Sequence, residues 1–373
     1  MNIMPIMWDK MKRKVRINKV AIFTLITIIL VLIVGCTLAL NYLGKDSVRL
    51  KMKGYSSKII NKIIKDEEIT KYALNNKKDN LLIELINEDD FKFSNLDKYK
   101  SYKKDNKDVT SKDLVYLVNN DYTEYDYSTN LIDFINSKYY LKTRLDRYLA
   151  YQEDHQDLEV KEIIKRVNSN IDYDFYTNVE KTDTSYGYQM ICNKHYNIGT
   201  YVPSNIVSVA STYLKPGYGG YLDKEVYAAY IEMYNAAKKE NLNILVQSPY
   251  RSYNTQSSIY NNYVKKDGKA KADTYSARAG YSEHQTAYAI DFATKTTTGL
   301  SNSDFGQTKE FKWLQDNAYK YGFILRYPKG EEYITGYMYE SWHYRYIGKE
   351  AAKIVRDENI TYEEYFTYYV LKK

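Results

Sequence analysis

The pattern of apolar and polar positions divides the chain into a membrane-type segment, a helical region and a mixed region. The run from Val20 to Leu43 carries no charged residue and is dense in Ile, Leu and Val. About 20 apolar residues are enough to cross the core of a bilayer. We therefore predict a transmembrane anchor over residues 20–43, which separates a cytoplasmic basic tail (1–19) from a short polar stalk (44–58).

Charge supports this arrangement and excludes one class of partner. The first 19 residues hold six Lys and Arg against Asp9, which gives this tail +5 of the total charge of +7. The remainder of the chain therefore sums to only +2. Basic residues on the N-terminal side of an apolar span favour a cytoplasmic N-terminus and an extracellular remainder. The basic excess is a local tail and gives no case for nucleic acid as a partner.

One of the two cysteines bears on the anchor, and the other lies in the predicted ectodomain. Ile33-Val34-Gly35-Cys36 resembles a lipobox, so a lipid anchor on Cys36 is the alternative to an uncleaved helix. The residues after Cys36 remain apolar, which favours the helix because a mature lipoprotein usually becomes polar there. Cys192 is the only other cysteine, so no disulfide can form within the predicted ectodomain, and we expect its thiol to be a small buried group.

An internal repeat occupies the region after the stalk. Residues 84–121 align without gaps on residues 133–170, at an offset of 49. Ile59, Ile60, Ile63 and Ile64 begin a helical pattern upstream of the first copy. We predict a helical repeat region over residues 59–170 in which stacked helical hairpins share a core. A spacer role is favoured over a recognition surface, because the copies show no binding chemistry.

From residue 171 the texture changes to shorter apolar runs with more glycine, and an α+β fold is predicted for 171–373. Val226, Tyr230, Met233 and Ala237 are spaced along one helical face. Residues 265–275 are predicted to form a loop. The other predicted elements are strands at 244–246, 287–292, 323–325 and 342–346, and helices at 255–264, 311–321 and 348–358.

Candidate chemistry is concentrated near the C-terminus. His284, Asp291 and His343 supply two imidazoles and a carboxylate, which is the open three-ligand set of a catalytic zinc. Glu340 is a further carboxylate that could move a proton beside such an ion. On a straight strand Glu340 and His343 would point to opposite faces, so we predict a bend near Ser341.

Three segments taken together resemble one family. Tyr-Arg-Ser at 250–252, Ser-Glu-His-Gln-Thr followed by Asp at 282–291, and Glu-x-Trp-His at 340–343 resemble the VanY/LdcB family of zinc-dependent peptidoglycan carboxypeptidases. The resemblance extends from about Tyr173 to the C-terminus. It implies a small antiparallel sheet flanked by helices, as in zinc D,D-peptidases and hedgehog-like domains.

The resemblance also implies a role for each site residue. By resemblance the zinc ligands are His284, Asp291 and His343, and Glu340 is the general base. Arg251 would stabilise the tetrahedral intermediate or grip the substrate, and Gln256 and Ser282 would hydrogen-bond its terminal carboxylate. The chain departs from the usual family residues in having Ser341 for proline, Ala279 for proline, and Ala287-Tyr288 for glycine-leucine.

The sequence therefore predicts a membrane-anchored extracellular zinc carboxypeptidase that removes terminal D-alanine from peptidoglycan stem peptides. Either a D,D-carboxypeptidase acting on pentapeptides or an L,D-carboxypeptidase acting on tetrapeptides fits these motifs. The alternative from another class is a non-catalytic, zinc-containing protein that binds or senses the cell wall.

Overall fold

The structure is a computed structural model that describes residues 19–371, so most of the predicted basic tail lies outside the described residues. The first helix, α1 (Lys19–Leu43), is the one helix among residues 19–371 that is long and apolar enough to cross a membrane. Thr24, Thr27 and Thr37 each donate a side-chain hydroxyl to a carbonyl four residues earlier, at 2.7–2.9 Å. The three threonine hydroxyls of this helix are thus paired within it, as an apolar surrounding requires.

The remaining elements are short. The other helices are α2 (Asp46–Met52), α3 (Ser57–Ile63), α4 (Glu67–Asn75), α5 (Asn80–Leu85), α6 (Leu96–Asp105), α7 (Ser111–Asn119), α8 (Thr129–Asn136), α9 (Leu145–Asp154), α10 (Val160–Asn168), α11 (Lys224–Lys239), α12 (Tyr253–Asp267), α13 (Lys269–Ala272), α14 (Lys309–Asn317), α15 (Glu332–Thr335), α16 (Lys349–Glu358) and α17 (Tyr362–Tyr365). The strands are β1 (Glu180–Lys181), β2 (Tyr196–Asn197), β3 (Ile206–Ser208), β4 (Tyr221–Asp223), β5 (Leu245–Ser248), β6 (Ala289–Ala293), β7 (Phe323–Leu325) and β8 (His343–Tyr346).

Corresponding helices of the two sequence copies have matching bounds and matching internal hydrogen bonds. Helices α6 and α7 fall 49 residues before α9 and α10. The hydroxyl of Tyr99 donates to the side-chain oxygen of Asn119 at 2.7 Å. The hydroxyl of Tyr148 donates in the same way to Asn168, at 2.6 Å. In each copy this bond ties the first helix of the pair to the end of the second.

The chain divides into two compact units, residues 1–132 and 133–373. In the first unit, Leu50 and Tyr55 are buried with Ile59, Ile60 and Ile63. Because these two residues belong to the segment predicted as a stalk, that segment is packed into the helical unit and is not a free linker.

The second sequence copy belongs to the same unit as the C-terminal domain. Arg147 on α9 forms two hydrogen bonds with the carboxylate of Asp172, at 2.6 and 2.7 Å. Near the C-terminus, Thr367 donates its hydroxyl to the carbonyl of Asn168 at 2.7 Å. Helix α10 is thereby fixed to the C-terminal segment by a buried bond.

A four-stranded antiparallel sheet organises the second unit, with the order β5-β6-β8-β7. All five residues of β6 and all four of β8 are buried, so the two central strands are covered on both faces. Two smaller two-stranded sheets, β1-β2 and β3-β4, complete the strand content of the described residues. The predicted α+β class is confirmed at this level.

The main core packs helices against this sheet. Val226, Tyr230, Met233 and Ala237, which were predicted to share one face of a helix, are all buried on α11. The ring of Tyr230 stacks on that of Phe292 from β6, with centroids 5.8 Å apart. This contact fixes α11 over the strand that carries the candidate site.

One predicted loop is wrong. Residues 265–275 contain the end of α12 and the short helix α13, separated by Gly268 at a φ of 80°. Ala272 is fully buried, and Lys271 pairs with Asp267 at 3.1 Å. The buried Ala272 favours helix here, because alanine has the highest helix propensity, and the sequence interpretation counted only the charge of the segment.

Candidate metal centre

His284 lies on a tight turn before β6. A short 3-10 helix spans Glu283–Thr286, and Ala287 then takes a left-handed conformation with a φ of 63° that reverses the chain into the strand. The Nδ1 atom of His284 lies 2.8 Å from the carbonyl of Pro249, to which it donates. Its Nε2 atom is therefore the nitrogen that could bind a metal ion, and it lies 3.3 Å from Oδ2 of Asp291. The doubling back that was predicted between His284 and Asp291 is present.

Asp291 and His343 face each other across the two central strands. They are direct partners in the register of β6 and β8, and Nδ1 of His343 lies 2.9 Å from Oδ1 of Asp291. One donor atom from each of His284, Asp291 and His343 lies within 4.8 Å of the others. All three side chains are buried, and the outer nitrogen of His284 is held by a carbonyl, as is usual for metal-bound imidazole. This donor set fits a zinc ion with an open fourth position.

The bend expected near Ser341 is also present. The backbone N–H of His343 donates to the carbonyl of Glu340 at 3.3 Å, so the chain turns before β8 begins. The side chain of Asn302 holds this turn, because it donates to the carbonyl of Tyr339 at 2.7 Å and accepts from the N–H of Ser341 at 2.9 Å. The turn lets Glu340 and His343 line the same cavity.

Glu340 is a buried carboxyl, only 8% exposed. Its burial raises its pKa to about 8, with the nearby carboxylate of Asp291 acting in the same direction and His343 opposing it. A carboxyl with a raised pKa holds a proton more strongly than an exposed one. That property suits a group which must accept and return a proton near neutral pH.

The donors themselves are electrostatically coupled. Burial alone would raise the pKa of Asp291, but the two histidines and Arg251 hold it well below its usual range. Burial and the charge of Arg251 lower the pKa of His284. Burial would lower the pKa of His343 as well, yet its hydrogen bonds to Asp291 and Glu283 raise it to about 9.

Arg251 follows β5 and reaches into the donor cluster. It donates through Nε to the hydroxyl of Ser248 at 2.8 Å and through one terminal nitrogen to Oδ2 of Asp291 at 2.7 Å. Its backbone N–H donates to the carbonyl of His284 at 3.1 Å. The guanidinium is thus bonded directly to one of the donor residues, Asp291, where a positive charge can meet developing negative charge on a substrate.

A cavity of about 700 Å³ opens above these residues. Gln256 and Ser282, the predicted substrate-binding residues, both line it and are both buried. Gln256 donates to the carbonyl of Ala277 at 2.8 Å, and its oxygen lies 3.5 Å from Arg251. All seven predicted site residues therefore lie around one cavity.

The aromatic residues near Glu340 divide between cavity and core. Tyr337 and Trp342 line the cavity, whereas Tyr344 and Tyr346 are buried in the main core. Trp342, Tyr344 and Tyr346 are spaced two residues apart and would share one face of a straight strand, so strand alternation does not explain this division. His195 does not line this cavity and is buried against the ring of Phe175.

Sequence reasoning missed a group of charged residues behind the donors. Glu283, Arg326 and Arg345 are all fully or almost fully buried, and Glu283 contacts both arginines. Asn302 was missed as well. A signal for Arg345 was available, because residues two apart on a strand share a face, so Arg345 had to lie on the same side of β8 as His343. A buried arginine requires a buried carboxylate nearby.

A fold of this kind with a buried His-Asp-His set, an adjacent glutamate and an arginine defines a metallopeptidase class of protein. Comparison with known sequences points to one family of carboxypeptidases. The family described as VanY, D-alanyl-D-alanine carboxypeptidase, matches residues 219–349. YodJ of Bacillus subtilis, whose name assigns it to the carboxypeptidases, is 45% identical over 179 residues, which are 47% of this chain and 66% of that protein.

Two further relatives extend the comparison. The bifunctional D-Ala-D-Ala dipeptidase and D-Ala-D-Ala carboxypeptidase VanXYC of Enterococcus gallinarum is 32% identical over 150 residues, 40% of this chain and 78% of that protein. The solved structure of the LdcB LD-carboxypeptidase is 41% identical and covers 51% of this chain and 90% of its own, with a TM-score of 0.47. The match spans just under two thirds of the Bacillus subtilis protein.

The chain belongs to the VanY family of carboxypeptidases. The family identification made from the three sequence segments is confirmed.

Proposed function

We propose that this protein is a membrane-anchored zinc carboxypeptidase that removes the terminal D-alanine from peptidoglycan stem peptides outside the cell. The observation that carries the proposal is the convergence of His284, Asp291 and His343 at one wall of a cavity that also holds Glu340. The relatives that match this part of the chain are named as carboxypeptidases, and three of them are named for D-Ala-D-Ala. This relationship supports the proposed substrate.

His284, Asp291 and His343 would hold the zinc ion. When bound there, zinc supplies Lewis acidity to a carbonyl and lowers the pKa of water. The carboxylate of Glu340 takes a proton from the attacking water while the oxygen of that water bonds to the scissile carbonyl carbon. The carbon–nitrogen bond then breaks, and Glu340 returns the proton to the leaving amine. The products are a shortened peptide with a new carboxylate and free D-alanine.

Arg251 and its neighbours are proposed to bind the substrate. The guanidinium offers a fixed set of donors that suits a carboxylate or an oxyanion. Gln256 and Ser282, which line the same cavity, would bind the terminal carboxylate that distinguishes a carboxypeptidase substrate from the interior of a chain. Removal of either donor is expected to raise KM more than it lowers kcat.

The test uses the soluble part of the chain from residue 45 onward. It is loaded with zinc and incubated with synthetic pentapeptide and tetrapeptide stems while D-alanine release is followed. Glu340→Gln keeps the size of the side chain but removes the base, and Glu350→Gln is a matched control on an exposed surface. Release that requires zinc and Glu340, and that survives in the control, is the expected result.

The same experiment separates the remaining alternatives. Preference for the pentapeptide identifies a D,D-carboxypeptidase, and preference for the tetrapeptide identifies an L,D-carboxypeptidase. A stem whose terminal carboxylate is blocked as an amide should not be cleaved. If zinc binds but neither stem is cleaved, the carboxypeptidase proposal is wrong and a wall-binding role takes its place.

Membrane attachment is proposed to depend on α1 spanning the membrane, with the C-terminal unit outside. Replacing Cys36 with serine separates this anchor from lipidation, because a lipid anchor requires the thiol and a spanning helix does not. We expect the Cys36→Ser protein to remain in the membrane fraction and to be digested by protease added outside intact spheroplasts. Release of that variant into the soluble fraction would establish the lipid anchor.

A further inference from the structure

Behind the donors lies a group of four buried charges: Glu283, Arg326, Arg345 and Glu363. Arg326 donates to Glu283 at 2.8 Å and to both oxygens of Glu363 at 2.6 and 2.9 Å. A nitrogen of Arg345 lies 3.0 Å from Glu283. Their side chains are at most 2% exposed, and their formal charges cancel.

Stability alone does not account for this cluster. Removing two pairs of ions from water costs about as much as their attraction returns, and well-packed apolar residues often do as well. A buried ion network therefore points to a role in orienting something. Glu283 is the member in contact with a candidate metal ligand.

The two oxygens of Glu283 are used differently. Oε1 is the atom that both Arg326 and Arg345 approach. Oε2 lies 3.4 Å from Nε2 of His343, within hydrogen-bonding distance. The arginines thus hold the carboxylate so that its second oxygen is directed at the imidazole.

The opposite nitrogen of that imidazole faces the donor cluster. Nδ1 of His343 lies 2.9 Å from Oδ1 of Asp291, the second candidate ligand. If Nε2 keeps its hydrogen and donates it to Glu283, Nδ1 is the nitrogen with a lone pair for the metal. A ligand histidine that donates its other N–H to a carboxylate is fixed in orientation and becomes a stronger donor.

We propose that Glu283 is a positioning residue that accepts the Nε2–H of His343 and thereby fixes Nδ1 of His343 as the metal-binding atom. The proposal rests on the zinc site of the proposed function. The same 3-10 turn also carries His284, so one turn supplies one ligand directly and orients the other. Arg345 and His343 are two residues apart on β8 and face this turn together.

The chain provides a matched control for this proposal. Glu283→Gln and Glu363→Gln each remove one negative charge from the same buried cluster and leave the same surplus of positive charge. The two substitutions should therefore lower the free energy of unfolding by similar amounts. Only Glu283 contacts His343, whereas Glu363 contacts Arg326 and Asn193.

The experiment measures zinc affinity by competition with a chromophoric chelator. We expect Glu283→Gln to weaken zinc binding by about 10- to 100-fold, in the range seen for such outer partners. Glu363→Gln should bind zinc within a few-fold of the unaltered chain. Equal losses in the two variants would show that the cluster acts only on folding and would overturn the proposal.

A second measurement needs no substitution. In the zinc-loaded chain, nitrogen NMR of the histidine side chains should show His343 protonated at Nε2 and bound to the metal through Nδ1. Binding through Nε2 would overturn the proposal directly. Neither readout depends on hydrolysis, so a chain that binds zinc in this way but cleaves no stem peptide would refute the proposed activity and leave the role of Glu283 intact.

Discussion

The turn between Tyr339 and His343 can be tested through Asn302. Its side chain makes two hydrogen bonds to the backbone of the turn, at 2.7 and 2.9 Å, and Ser341 is completely buried. Asn302→Ala removes both bonds. Because each contributes about 0.5–1.5 kcal/mol net, the loss of stability should be about 1–3 kcal/mol. For a unit of this size, that corresponds to a fall in Tm of roughly 2–4 °C per kcal/mol.

The effect on catalysis should exceed the effect on stability. Without Asn302 the turn that carries Glu340 loosens, and a displacement of about 1 Å in a reacting group can cost on the order of 100-fold in rate. We expect kcat for D-alanine release to fall by about 10- to 100-fold, with KM little changed. The zinc affinity should stay within a few-fold, because His343 is also held by β6 through the strand register.

A variant that keeps only one of the two hydrogen bonds of Asn302 makes the test more specific. Asn302→Asp keeps an oxygen to accept the N–H of Ser341 but cannot donate to the carbonyl of Tyr339. Its kcat should therefore lie between those of the alanine variant and the unaltered chain. Steady-state kinetics and melting curves on all three proteins decide the matter. A loss of Tm without a loss of kcat in Asn302→Ala would refute the view that this residue positions the base.

Three further predictions follow from the described residues. Chelation of zinc should lower the Tm, because saturation at 100 times Kd contributes about 2.7 kcal/mol; an unchanged Tm in a differential scanning experiment would contradict a preformed site. The thiol of Cys192 is fully buried, which raises its pKa to about 12, so the fragment from residue 45 should react with Ellman's reagent only after denaturation, and rapid native reaction would disprove this burial. Asn168→Ala should cost the C-terminal unit about 1–3 kcal/mol, because two side-chain hydrogen bonds are lost. Asn119→Ala, its counterpart in the first unit, is the control, and in the full chain it should leave the stability of residues 133–373 unchanged. Hydrogen exchange, which reports the unfolding of each unit separately, measures the stability of residues 133–373 in both variants.

Much of the site could be predicted because its residues lie in compact sequence segments. His284 and Asp291 are seven residues apart, and Glu340 and His343 are three apart, so local geometry alone required a reversal and a bend. Both are present, the first through the left-handed Ala287 and the second through a turn at Ser341. The helix of Val226 and the α+β class followed from periodicity in the same way.

What could not be predicted depends on contacts between distant segments. Glu283 and Glu363 meet Arg326 across separations of 43 and 37 residues, and Asn302 meets the Ser341 turn across 39. Periodicity carries no information about such pairs. The helix in residues 265–275 was missed for a related reason, since its buried Ala272 is explained only by the tertiary contacts it makes. The spacer role of the helical copies stays a prediction.

Because Asp291 and His343 are paired across β6 and β8, the candidate metal site is complete only when these two strands are in the correct register. A slip of one residue between β6 and β8 would turn one ligand to the opposite face of the sheet, so metal affinity reports directly on strand register. The segment between the strands is under no such constraint at its exposed positions, such as Lys295 and Thr296. Insertions and reporter peptides placed there should be tolerated, whereas deletion of a single residue inside either strand should abolish metal binding.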